Sequence, residues 1–398
     1  MYPPGFLSVY SPPVNLTFGA NPQLPILVQE LIAIEVWKLK VLPYLRKSIP
    51  STKAHMLVHH EANILNLLEI FLYHPHAVEA LGETVVDLAE YCCCKMVFLT
   101  TRSAEGFYNA PSVEKIKAEA TNPITPEQAL EEMIVNTEFR MAIISLSIVR
   151  YFAENLHQAP IGVVTRLVQT HDCIGLLSRL METKPWKLTQ SDGTVRVFQQ
   201  SEWKIVPAND RLKVSQVEGQ IWLTLLQLLC APEARSKLQL DGKRKETVAS
   251  LRNYFSEVLL DQIPVLTSLF RAVEEIQMAD TSNAEPVRAI LVEQFPEIKS
   301  NILEGRSRDD FKALARHFKN NYLQTASSES DMNRLMRMYN FEAMEELLDD
   351  PKCDKCGEAG MKRCSRCKHA WYCSRECQVE AWPTHQPICD VLCKSVGK

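Results

Sequence analysis

Eight side chains able to bind a metal stand close together near the end of this chain. Their spacing is Cys353-x2-Cys356-x7-Cys364-x2-Cys367-x5-Cys373-x3-Cys377-x7-His385-x3-Cys389. Thiolates and imidazoles hold zinc tetrahedrally, at about 2.3 Å for sulfur and about 2.0–2.1 Å for nitrogen. Each two-residue gap makes a tight knuckle that aims two sulfurs at one ion, and each three-residue gap suits a single helical turn. Eight ligands complete two closed tetrahedra. Closed sites are structural, because catalysis needs an open coordination position. Of the 13 cysteines, eight lie after residue 350; the others are Cys92, Cys93, Cys94, Cys173 and Cys230. A secreted disulfide protein spreads its cysteines through its folded body, so clustering in a tail reads as metal binding in a reducing compartment. Cys393 lies beyond the pattern and is not counted as a ligand.

The elements that carry this array read as helices. Leu27, Leu31, Ile34, Trp37, Val41 and Leu45 recur at three- and four-residue spacing. Leu57, Ile64, Leu68 and Phe71 do the same, as do Leu81, Val85, Leu88 and Cys92. Thr125-Pro126-Glu127-Gln128 starts a helix: Thr125 caps, Pro126 needs no donor there, and Gln128 can close a capping box. Further helical runs cover about 129–155, 160–183, 216–230, 245–277 and 285–303. Only 186–206 looks extended, with Asp192-Gly193 at the turn of a β-hairpin. The expectation is an all-α armadillo- or HEAT-like solenoid with an inserted β-hairpin, followed by a C-terminal two-zinc finger. No strict repeat period is visible, and a compact helical domain is the alternative. The expected organisation is a flexible segment at 1–23, a helical body at 24–325, a connecting segment with a last helix at 326–350, and the finger at 351–393.

The chain has no Gly-x-Gly, no G-x-x-x-x-G-K-[ST], no G-x-S-x-G and no H-E-x-x-H. No His-x-Asp pair starts a facial triad. His55, His59, His60 and Glu61 form a cluster on a helical run; a metal site there competes with the plainer reading of a polar helix face, or of a histidine satisfied by a neighbouring helix. Cys92, Cys93 and Cys94 point three ways on a helix, which suits packing. Lys243-Arg244-Lys245 reads as a solvated basic turn, and Met332, Met336 and Met344 as a packing surface. No apolar run is long enough to span a membrane. Residues 351–398 carry nine Lys/Arg against five Asp/Glu. Two loaded zinc sites of four and three thiolates reduce that formal +4 to about +1, and the rest of the chain is acidic. Nucleic-acid binding, which needs clustered cations, is therefore not expected.

The ligand spacing, with Tyr372 before the fifth cysteine and Trp382 between the sixth cysteine and the histidine, resembles the MYND finger family. That resemblance implies interleaved ligation: Cys353, Cys356, Cys373 and Cys377 on one zinc; Cys364, Cys367, His385 and Cys389 on the other. Members that bind proline-containing peptides use a serine, a glutamine and a tryptophan at the places held here by Ser365, Gln378 and Trp382. An exposed indole offers a platform for a proline ring; the competing role for Trp382 is to plug the finger's small core.

The body from about residue 24, on the runs 25–38 (PILVQELIAIEVWK) and 58–69 (VHHEANILNLLE), is similar to a family of MYND-finger dynein-arm assembly factors. Residues 1–23 depart from that family, whose members carry a longer helical N-terminal region. The resemblance implies a non-enzymatic adaptor or co-chaperone for pre-assembly of axonemal dynein arms in the cytoplasm of ciliated cells, near centrioles or the apical region. Its implied partners are a leucine-rich-repeat assembly factor, an Hsp90-type chaperone with an immunophilin, and axonemal dynein chains as clients. A nuclear corepressor adaptor that docks proline motifs is the alternative, and a cryptic methyltransferase a third reading that the missing cofactor motifs disfavour.

Overall fold

The computed structural model describes residues 23–49, 51–104, 125–190, 193–278, 294–320, 353–356, 358–366 and 370–396. The expected flexible segment and connecting helix, with Met332, Met336 and Met344, fall outside these. Two compact units are present, one within Phe18–Thr325 and one containing the finger.

The first unit is a stack of helix pairs. They are α1 (Gln23–Lys40) with α2 (Ser51–Leu72), α3 (Thr84–Ala104) with α4 (Pro126–Glu154), α5 (Cys173–Thr183) with α6 (Gln216–Cys230), and α7 (Gly242–Ser250) with α8 (Leu266–Met278). Partners within each pair touch. So do α1, α3, α5 and α7 in succession, and α2, α4, α6 and α8 in succession. Each pair thus buries its apolar stripes against the next, forming the two layers of a helical solenoid. One continuous core runs through all four pairs. Val85, Leu88 and Cys92, on one face of α3, and Leu81 just before it are all fully buried there. Each such leucine contributes about 2 kcal/mol by leaving water.

The helix starts follow capping chemistry. Thr125 and Gln128 exchange side-chain-to-backbone bonds at the head of α4, with Gln128 N–H donating to Thr125 Oγ1 at 3.3 Å and Thr125 N–H to Gln128 Oε1 at 2.9 Å. Ser215 and Glu218 make the same box at α6, where Glu218 also receives Lys184 Nζ at 2.8 Å.

Several expectations are corrected. The run 160–183 is not continuous: a short helix passes into a π-turn at Arg166–Thr170, and Asp172, at φ 44°, restarts the chain as the cap of α5. A Cβ at Gly175 would meet that capping carboxylate at 2.5 Å. The run 245–277 breaks into α7, a 3-10 turn, a short helix Glu257–Gln262 and α8, because Ser256 caps a new helix and Pro264 cannot continue it. Of 285–303, the described helix is α9 (Ile298–Leu303); 285–293 fall outside the described residues.

The inserted hairpin is a three-stranded meander of β1 (Lys187–Thr189), β2 (Val195–Gln199) and β3 (Glu202–Ile205). Its second turn places Gln200 and Ser201 at φ 52° and 62°, a primed turn without glycine. The sheet packs on α4 through Phe139, which meets Phe198 edge-on at 4.9 Å and stacks on Trp203 at 5.8 Å.

After α9, α10 (Arg308–Phe318) returns to the first pair. Phe311 and Ala315 pack with Val41 and Leu45, and Phe318 lies 5.2 Å from Trp37.

Candidate metal centre

The finger is built from two knuckles, a two-stranded ribbon and one helix. Strands β4 (Lys362–Arg363) and β5 (Trp371–Tyr372) pair antiparallel, and α11 (Arg375–Val396) follows directly. Backbone bonds fix the knuckles to the ribbon: Cys353 N–H to Glu358 O at 2.7 Å, Asp354 N–H to Trp371 O at 2.9 Å, and Cys364 N–H to Ala370 O at 2.8 Å. Ser374 Oγ accepts the Cys377 N–H at 3.4 Å, so the entry into α11 presents Cys373, just before the helix, and Cys377, in its first turn, together.

Two groups of ligand atoms converge. The sulfurs of Cys353, Cys356, Cys373 and Cys377 all lie within 4.8 Å of one another, as do the ligand atoms of Cys364, His385 and Cys389. The separations Cys356–Cys373, Cys373–Cys377, Cys377–Cys356 and Cys364–Cys389 are 3.4, 3.5, 3.9 and 4.0 Å. A zinc tetrahedron with 2.3 Å bonds has sulfur–sulfur edges of about 3.8 Å, so this donor set fits two zinc ions. Cys367 lies outside the described residues. The chain order of the two groups is interleaved, with the pair Cys364 and Cys367 falling between the two halves of the first group.

Around the two ligand groups the finger has little apolar core. Cys353, Cys364, Ala370, Tyr372, Ala381 and Cys389 are buried together. His385 sits between two rings, 6.1 Å from Tyr372 and 6.0 Å from Trp382. Such a core cannot supply folding energy on its own, so metal binding must supply it.

The three expected docking residues are placed as follows. Ser365 is exposed, in the knuckle after Cys364; Gln378 and Trp382 are half-buried and one turn apart on α11. Trp382 packs against the finger core on one side, while Arg366 lies 5.8 Å from its ring. The indole thus lies partly in the core and partly at the surface. Val379, three residues before Trp382, is well exposed beside it. Sequence reading missed Arg363 and Arg366, which sit over Trp371 (5.4 Å) and Trp382 respectively. Arg363 faces Trp371 across the ribbon, whereas Arg366 in the second knuckle reaches Trp382 on α11, a pairing that local spacing does not reveal.

The other motifs resolve differently. Among the described residues the two finger groups are the sets of three or more ligands that converge in this way. His60 Nε2 stands 3.7 Å from Glu30, and His55 falls outside the described side chains. Glu61 does not belong to a polar face: it is fully buried. It receives Tyr91 Oη at 2.7 Å, Lys95 Nζ at 3.1 Å, and Lys38. Lys38 and Lys95 also bind Glu138, and Lys95 approaches Glu35 at 3.8 Å. Although burial opposes ionisation, the Lys95 and Lys38 charges hold the Glu61 carboxyl down at about 2. This network ties α1, α2, α3 and α4 together. Lys243-Arg244-Lys245 is not a loop but the first turn of α7, capped by Asp241; Arg244 donates to Gln239 O and Gln169 O at 3.3 Å. Cys92 and Cys93 are buried, and Cys93 touches Cys173 at 3.5 Å.

Residues 353–389 match the family model described as the MYND finger. Over 92% of its length the chain is similar to the zinc finger MYND domain-containing protein 10 homolog of Drosophila melanogaster, with 26% identity covering 85% of that protein. Shorter likenesses are to Tudor domain-containing protein 1 of Mus musculus (38% identical, 15% of this chain, 5% of that protein) and to N-lysine methyltransferase SMYD2 of Gallus gallus (46% identical, 10% of each). No solved structure matches. The chain ends in a MYND finger, a module that implies protein–protein interaction.

Proposed function

We propose that this protein is a non-enzymatic adaptor, in which the zinc-clamped finger docks one protein while the helical stack holds another. The observation that carries this reading is the pairing of two converging Cys/His groups able to hold zinc with a long two-layer helical scaffold. The similarity over nearly the whole chain to a zinc finger MYND domain-containing protein 10 homolog supports the same combination. The eight residues Cys353, Cys356, Cys364, Cys367, Cys373, Cys377, His385 and Cys389 act as ligands, and Ser365, Gln378 and Trp382 form the docking face.

The finer reading is co-chaperone work in cytoplasmic pre-assembly of axonemal dynein arms. The partners are then a leucine-rich-repeat assembly factor, an Hsp90-type chaperone and an immunophilin, and the clients are dynein chains. Quantitative affinity purification from ciliated-cell cytoplasm, comparing the intact protein with Cys364→Ala, tests it. Dynein chains and chaperones should be recovered, with a subset lost when the finger unfolds. Recovery of nuclear repressors without dynein components would overturn the assembly reading and favour a corepressor adaptor.

A further inference from the structure

Arg375, Val379 and Trp382 stand at four- and three-residue spacing along α11. They therefore share one face of that helix. Arg375 is exposed, Val379 is 64% exposed, and the Trp382 indole is half-buried. The second knuckle adds Arg366, also exposed, with its guanidinium carbon 5.8 Å from the centre of the Trp382 ring. Ser365 precedes it in the same knuckle, and Gln378 stands one turn before Trp382. Exposed apolar surface is thus bracketed by two cations, Arg375 one turn before Val379 and Arg366 at the indole.

The carboxylates in the first turns of α11 lie elsewhere. Glu376 and Glu380 recur on the neighbouring stripe, one turn apart, and Glu380 approaches Lys355 of the first knuckle at 3.8 Å. Charge on the helix is therefore sorted, with cationic side chains on the Trp382 side. An apolar patch with a neutral rim accepts any hydrophobic segment. Cations at its two ends select by charge, because they attract a carboxylate and repel a basic partner. A guanidinium lying against an indole is suited to that task, since its planar edge offers a fork of donors matched to a carboxylate. Two arginines are few for a nucleic-acid backbone, which binds through many released counterions.

We propose that the docking face built on Trp382 takes an extended partner segment carrying an acidic side chain beside the apolar or proline residue that rests on the indole. Arg366 pairs with that carboxylate, and Arg375 adds a second attraction one turn from Val379. The inference rests on the docking reading above and adds to it the charge of the partner.

Short fluorescein-labelled peptides test it by anisotropy against the zinc-loaded full chain. Each holds one proline and one leucine in a glycine–serine background, with Glu, Gln or Lys scanned through the remaining positions. At low salt the best Glu peptide should bind about fivefold tighter than its Gln counterpart, the scale of one exposed charge pair, and the Lys counterpart should bind more weakly still. Raising the salt to about 0.5 M should remove most of that difference. Arg366→Glu, with bound zinc counted to establish a folded finger, should reverse the order; should that variant lose zinc, Arg366→Gln should level it. Binding that is lost in a zinc-retaining Trp382→Ala protein but ignores peptide charge would overturn the proposal and leave the docking reading standing. No binding by any peptide, or binding indifferent to Trp382→Ala, would overturn both. Displacement of the peptides by a single-stranded oligonucleotide at equal concentration would make the face a general polyanion site and also overturn the proposal.

Discussion

Removing Glu61 should destabilise the helical body far more than its place beside two histidines suggests. The carboxylate is fully buried and accepts from Tyr91, Lys95 and Lys38, while Lys95 is nearly as buried. Truncating one member of a buried ion pair leaves the other charge uncompensated, which costs about 3–5 kcal/mol. The acidity of Glu61 gives a second estimate: a fall from the ordinary 4.5 to about 2 corresponds to about 3 kcal/mol. Because the folded-state pKa lies below the unfolded one, this stabilisation is complete above about pH 4.5 and is lost as pH falls toward 2. Urea unfolding followed by far-ultraviolet circular dichroism at pH 7 should therefore show Glu61→Ala losing about 3–4 kcal/mol at an unchanged m-value. Glu61→Leu combined with Lys95→Met leaves the Lys38–Glu138 pair balanced and should recover most of the loss. A loss below about 1 kcal/mol for Glu61→Ala, or a double variant as unstable as the sum of the singles, would refute the reasoning.

Other outcomes follow from the same structure. Burial pushes the Glu69 carboxyl up to about 7 from the ordinary 4.5, against the opposing effects of Ser147 and Arg150. Its contribution to stability is thus full below about pH 4.5 and lost as pH rises through 7; Glu69→Gln should unfold at higher urea than the intact protein at pH 8, with no such advantage at pH 4. Phe139→Ala removes the ring on which Phe198 and Trp203 rest and should cost about 3–5 kcal/mol. Chelation at neutral pH should withdraw two zinc ions, counted by a colorimetric indicator, and abolish finger structure.

The metal array was legible because its information is local. Knuckle gaps and helical-turn gaps are short-range geometry, and Cys353, Cys356, Cys373, Cys377, Cys364, His385 and Cys389 gather where such geometry places them. The capping box at Thr125 and the buried stripe of α3 were readable for the same reason. What periodicity hides is partnership at long range. Lys38, Glu61, Lys95 and Glu138 each look like solvated helix positions until four helices bring them together. The third strand escaped notice because Gln200-Ser201 takes up a turn that usually asks for glycine or asparagine. The break at Asp172 is equally silent, since a left-handed aspartate interrupts a helix without disturbing its apolar spacing.

The central claim is that the finger is a zinc-built docking head whose Trp382 face engages a partner. Measuring bound zinc and recovered partners in one Trp382→Ala preparation tests it most directly. The account predicts two zinc ions retained and a specific partner lost. Loss of zinc would make Trp382 a core residue only, and retention of both zinc and every partner would place the docking face elsewhere.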